Sequence, residues 1–170
     1  MPYNEAMLEK TFIRPYRNGD AERLVAFLDE ARFLLGDDDF TPEGKHALYF
    51  LFSERLDILG LIEAEVAATK HVDGIDPSLI VTKIALRRGY EDEDLVSSLL
   101  GFLLRECNAM DVSYVYLLGE EVPFEKELGF VLAAQKGIYT KEESEANIPS
   151  LRLYAVDKNK ETVPGFLYRL

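Results

Sequence analysis

Glu63 and Glu65 are the residues of this chain best suited to acid–base chemistry. They stand two positions apart in Ile58 to Thr69, which reads as a strand, so their side chains share one face. If that face lines a cleft, one carboxylate can take a proton from an amine or act as its counter-ion. If it is a solvent-facing edge, both serve only to keep the strand soluble. The other reactive side chains are more isolated. His46 and His71 match no metal-ligand spacing and read as packing or surface residues. Cys107 falls on an apolar helix face with no basic cluster beside it, which is the setting of an inert buried thiol. Tyr114 and Tyr116 lie in an apolar strand, where core or cross-strand packing is their expected role. No metal motif, glycine-rich phosphate loop or Ser-His-Asp set stands out in the sequence.

Positioning these residues takes a mixture of strands and helices. Thr11 to Pro15 reads as a short strand stopped by proline. Asn18-Gly19-Asp20 is a turn that opens a helix. Leu24, Phe27, Leu28, Ala31 and Leu35 then recur at helical spacing as far as Gly36. His46 to Phe52 reads as a strand on its Tyr and Phe content, with a hairpin loop at Ser53 to Asp57. Lys70 to Pro77 reads as a loop, and Leu79 to Leu86 as the next strand. From Glu91 to Met110 a helix is clear, with Val96, Leu99, Leu100, Leu103, Cys107 and Met110 on one face. Val112 to Leu118 is apolar nearly throughout, as a buried strand is. Phe124 to Leu128 forms a short helix that Gly129 ends. Phe130 to Tyr139 is a strand, Lys141 to Ser150 a polar loop and Leu151 to Val156 the last strand.

The chain of 170 residues fits one domain, 1-170, with enough length to bury a core without staples. A single cysteine excludes a disulfide framework and points to a reducing, cytoplasmic setting. Met1 to Lys10 holds no apolar run, so no signal peptide is expected, and no stretch reaches bilayer-spanning length. The net charge of −12 argues against nucleic acid and anionic membranes as partners. It suits a small amine or a basic peptide, or it serves only to keep the surface soluble. A homodimer stays open.

Two stretches carry a resemblance to a known family. Ile80-Val-Thr-Lys-Ile-Ala-Leu86, a loop and Leu95-Val-Ser-Ser-Leu-Leu100 form the first. Tyr114-Val-Tyr-Leu-Leu-Gly119 with Phe124-Glu-Lys-Glu-Leu-Gly-Phe130 form the second. With the opening Phe12-Ile-Arg-Pro15, they resemble the GNAT N-acetyltransferase superfamily over most of Thr11 to Val156. The resemblance implies an α/β (α+β) fold: a mixed, mostly antiparallel sheet flanked by helices. Its fourth and fifth strands, here Leu79 to Leu86 and Val112 to Leu118, should run parallel and splay apart. It also implies acetyl transfer from acetyl-CoA to an amine, with no metal. The backbone of Ile84, Ala85 and Leu86 would take the pantetheine arm, and Leu95 and Val96 would lie beside the cofactor loop.

The chain departs from the family pattern in two places. The family's cofactor loop is basic and glycine-rich, whereas this chain has Glu91-Asp-Glu-Asp94 there. A carboxylate about 5 Å from a phosphate costs on the order of 1 kcal/mol in water and about 3 at an effective dielectric near 20. Acidic residues in a helix's first turn also offset the dipole that would attract phosphate. Acetyl-CoA is therefore expected not to bind at physiological concentrations. The family's proton-donating tyrosine is replaced by Glu125, after Phe124, so neither residue is expected to act as general acid. Two functions remain: an N-acetyltransferase-like protein, or a non-catalytic GNAT-fold binding module that has lost CoA.

Overall fold

The computed structural model describes residues 10–37, 46–53, 55–71, 74–91, 93–117, 121–132, 138–139, 145–146, 152–156 and 166–169. Two long strands dominate it. They are β4 (Ile58–His71) and β5 (Gly74–Arg87), which pair antiparallel from Gly60↔Leu86 to His71↔Gly74. Both are mostly apolar and buried, as central strands should be. The expected loop at Lys70 to Pro77 is thus mostly ladder. Its Thr69, Lys70 and His71 find backbone partners in Asp76, Ile75 and Gly74, which overrides the turn composition. At Thr82 the ladder holds one extra residue, because Glu63 pairs Lys83 while Ala64 pairs Val81.

Each long strand changes partner along its outer edge. On β4, β3 (His46–Ser53) pairs with Ile58 to Glu65, and β11 (Phe166–Arg169) takes over from Ala67 to Lys70. β1 (Thr11–Pro15) extends the sheet beyond β3. On β5, β6 (Tyr114–Leu117) runs parallel from Ser78 to Val81. Past Val81 the outer edge of β5 passes to β2 (Ala31–Leu35), antiparallel over Ile84 to Arg87. The expected parallel pair is present, and β5 continues beyond it. β10 (Arg152–Ala155) pairs with β6 and with β7 (Val131–Leu132). β8 (Ile138–Tyr139) joins β11 and β9 (Glu145–Ala146).

Helix α1 (Ala21–Asp29) covers one face of the sheet and α2 (Glu93–Ala109) the other. A short α3 (Glu125–Leu128) follows β6 and is closed by Gly129 at φ 110°, as its sequence predicts. The main core joins Val96, Leu99, Leu100, Leu103 and Cys107 of α2 to Ile62, Ala64, Leu79, Val81, Ile84 and Leu86 of the sheet.

Three expectations are corrected. The helix from Leu24 does not reach Leu35: it ends at Asp29, and Ala31 to Leu35 is β2. The carbonyl of Glu30 accepts the Arg88 N–H, turning the chain onto the β5 edge, where Phe33 and Leu35 find cores to enter. The strand expected over Phe130 to Tyr139 appears as two short strands, β7 and β8; residues 133–137 lie outside the described residues. The loop at Lys141 to Ser150 includes β9, and β11 was not anticipated at all. Its four residues carry no periodicity long enough to mark a strand, and pairing with β4 and β8 makes them one.

Candidate functional site

The two faces of the β4–β5 ladder have opposite characters. The α2 face is apolar. On the α1 face, alternation along β4 lines up Glu63, Glu65, Ala67, Thr69 and His71. Glu63 and Glu65 are buried at 3% and 8% exposure, so they are not on a solvent-facing edge. A buried carboxylate must be hydrogen-bonded, and Glu63 is: the Thr82 hydroxyl donates to its Oε1 at 2.7 Å. The same hydroxyl also lies 3.2 Å from the Glu63 carbonyl oxygen. The extra residue in β5 brings Thr82 into this position.

Further along the same face is a chain of buried hydroxyls. Thr69 Oγ1 lies 2.7 Å from Ser78 Oγ and 2.7 Å from the Tyr116 hydroxyl. Beyond it, His71 Nε2 meets Asp76 Oδ2 at 2.6 Å. Tyr116 and Tyr114 are both fully buried on β6, as packing predicts, but the Tyr116 hydroxyl also ties β6 to β4. The sequence did not single out Thr69, Ser78, Asp76 or Thr82. Polar residues at alternate strand positions were the visible signal for the first three. The bulge that places Thr82 left none.

Glu63 lies just past the last described β5–β6 pair, Val81 with Leu117, since its partner Lys83 follows directly after the bulge beyond Val81. There the outer edge of β5 is covered. Arg32, Phe33 and Leu35 of β2 pair with Leu86, Ala85 and Ile84, which are the residues the resemblance assigns to pantetheine. Gly36, at φ 76°, lies so close that a Cβ would stand 2.4 Å from the Thr82 carbonyl oxygen. Lys83 Nζ donates to the Asp37 backbone oxygen at 2.8 Å, and Arg87 pairs with Glu30. Arg87 also donates through Nε to the Ile58 carbonyl at 2.9 Å, so its guanidinium is committed to the sheet.

At the start of α2, Glu91 and Asp94 are exposed to solvent; the side chains of Asp92 and Glu93 lie outside what is described. Val96 is buried in the main core and Leu95 packs partly against it. His46 stands opposite Glu65 in the β3–β4 register, so sequence-distant residues share one rung. Cys107 is fully buried, and burial pushes its thiol up to about 12, consistent with an inert role.

Glu125 occupies the position of the family's tyrosine and is 3% exposed. Arg152 grips it at both oxygens, through Nε to Oε1 at 2.8 Å and Nη2 to Oε2 at 2.9 Å. The Val122 N–H donates to the same Oε2 at 2.8 Å. This carboxylate joins α3 to β10 through charge-assisted hydrogen bonds. Among the described residues, no group of three His, Cys, Asp or Glu side chains could hold a metal ion. No helix there is long and apolar enough to cross a membrane.

The arrangement has the GNAT fold. It is similar over 95% of its length to YhbS, a GNAT family N-acetyltransferase from Escherichia coli solved with CoA, at a TM-score of 0.70 and 16% identity over 91% of that chain. NAA60 of Arabidopsis thaliana, solved with acetyl-CoA, matches 87% of this chain and 99% of its own at a TM-score of 0.63 and 14% identity. The ribosomal-protein-S18-alanine N-acetyltransferase of Escherichia coli matches 91% of this chain and 99% of its own, at 0.59 and 14%. No family model and no curated protein matches the chain.

Proposed function

We propose that this chain is an N-acetyltransferase of the GNAT type, moving an acetyl group from acetyl-CoA to an amine, with Glu63 as the general base. The observation that carries the reading is a buried, hydrogen-bonded carboxylate just past the last described pair of the parallel strands. An amine arriving there as an ammonium must lose a proton before it can attack, and Glu63 is placed to take it. The Thr82 hydroxyl donates to one oxygen of Glu63 and so fixes the orientation of the carboxylate. Glu65, one alternation further along, is suited to act as counter-ion to a cationic acceptor. The net charge of −12 favours a small amine or basic peptide as that acceptor. A cytoplasmic location goes with this reading, supported by the lone cysteine.

With β2 in place, the β5 edge is closed to a CoA arm. The β5 edge is occupied by β2, Arg87 is committed to the sheet, and carboxylates stand at the start of α2. Those observations favour a second reading, a GNAT-fold module without catalysis. The exposure of Glu91 and Asp94 keeps their charge in water, where each costs on the order of 1 kcal/mol against a phosphate rather than several.

Thiol release from acetyl-CoA, measured across polyamines and basic peptides, separates the two readings. The enzyme reading expects turnover that Glu63→Gln reduces by about 100-fold or more, with little change in melting temperature. Absence of thiol release with every acceptor, in wild type and in a variant with the β5 edge uncovered, would establish the module instead.

A further inference from the structure

A sheet edge past its last partner presents unpaired N–H and C=O groups, which take up any extended chain that carries amides. Past Val81, the outer edge of β5 is such an edge, and this protein fills it with its own β2. We propose that β2 is a displaceable strap, which must unpair from Ile84 to Arg87 before an extended, amide-bearing ligand can lie there. The inference rests on the acetyltransferase reading for the identity of that ligand, the CoA arm, but not for the motion itself.

The contrast with β6 on the same edge supports this. All four residues of β6 are buried, and Tyr116 is tied into the sheet through Thr69. In β2 only Leu35 is buried, Arg32 points to solvent, and the register slips between Phe33 and Leu35. The strap is held at its ends by ion pairs whose acidic members are largely in water: Glu30 at 61% and Asp37 at 76% exposure. Arg87 and Lys83 stay with the sheet, and water screens the exposed carboxylates that they hold, which weakens each pair. Gly36 ends the strap in a left-handed conformation with no room for a Cβ against Thr82. Any other residue at Gly36 must lift the strap's end from β5. A closed strap lowers apparent ligand affinity by the fraction of time it is open, so loosening it raises affinity.

A cross-strand staple provides the test. Phe33 and Ala85 are direct partners, and antiparallel partners stand about 4.5–5.5 Å apart at Cα, within disulfide reach. Buried Cys107 does not compete for the new thiols. In the Phe33→Cys, Ala85→Cys protein, CoA binding measured by calorimetry should be lost on oxidation and return on reduction. Gly36→Val should bind CoA about tenfold or more tightly than wild type, equivalent to about 1.4 kcal/mol of strap release. Equal CoA affinity in the oxidised and reduced staple would overturn the strap. If no form binds CoA, the acetyltransferase reading fails, and hydrogen exchange judges the strap alone. Amides of Ala31 to Leu35 should exchange at least about a hundredfold faster than those of Tyr114 to Leu117. Equal protection would make β2 a permanent strand and end the proposal.

Discussion

The two faces of the β4–β5 ladder are built from the same strands and are buried to a similar degree, yet they serve different ends. On the α2 face, Ile62, Ala64, Leu79, Val81, Ile84 and Leu86 meet the apolar stripe of α2, and nothing there needs a partner other than close contact. On the α1 face, Glu63, Thr69, Asp76 and Ser78 sit in the sheet interior and each must be matched by a hydrogen bond. A polar face is a poor way to stabilise a sheet, since satisfied buried hydrogen bonds contribute only about 1 kcal/mol each. The difference teaches that the α2 face is held by apolar packing and the α1 face by matched polar groups.

Truncating the scaffold should have the largest effect on stability. Leu99→Ala, at a fully buried α2 position, should cost about 2–5 kcal/mol, read as a fall in urea midpoint. A cost below about 1 kcal/mol would show the α2 face to be loosely packed. Glu125→Ala should have an effect of the same size, because it leaves Arg152 buried without its carboxylate, at a cost of about 3–5 kcal/mol. Joint replacement of Glu125 and Arg152 by Leu and Met should recover most of that loss, and a double variant no better than the single would refute this account.

On the polar face the effects should be smaller. Thr69→Val keeps the volume but removes one member of the hydroxyl chain, for about 1–3 kcal/mol. No change in melting temperature would mean that Ser78 and Tyr116 are satisfied without it.

Two ionisable groups sharpen the comparison further. The Arg14 guanidinium, hydrogen-bonded to Asp20 at both oxygens, holds that carboxyl below the usual carboxylate range. A depressed folded value contributes stability above the unfolded value near 4, which is lost as pH falls through the folded value. The stability gap between wild type and Asp20→Asn should therefore be full at neutral pH and close below about pH 4; a gap independent of pH would remove the ion pair from the account. Cys107 gives the smallest effect. Its thiol, pushed up to about 12 by burial, should react with a disulfide reagent at pH 8 only as fast as the protein unfolds.

Much of the scaffold is legible in the sequence because it is periodic. The apolar stripe of α2, the apolar run around Tyr114 to Leu117 and the glycine closing α3 each report a local rule. The shared face of Glu63 and Glu65 also follows from strand alternation alone. Whether that face meets solvent or core does not, because exposure depends on the layers that other parts of the chain supply. Ala31 and Leu35 show the limit most clearly, since their spacing fits the end of a helix as well as it fits a strand. Only the edge of β5 favours the strand, where β2 pairs with Ile84 to Arg87 beyond the described pairing with β6. Residue types and local periodicity were thus settled by the sequence; the occupant of the strand edge, the position of Thr82 at Glu63 and the capture of Glu125 by Arg152 were settled by tertiary structure, because each joins groups distant in sequence whose hydrogen bonds can be satisfied only after the sheet has formed.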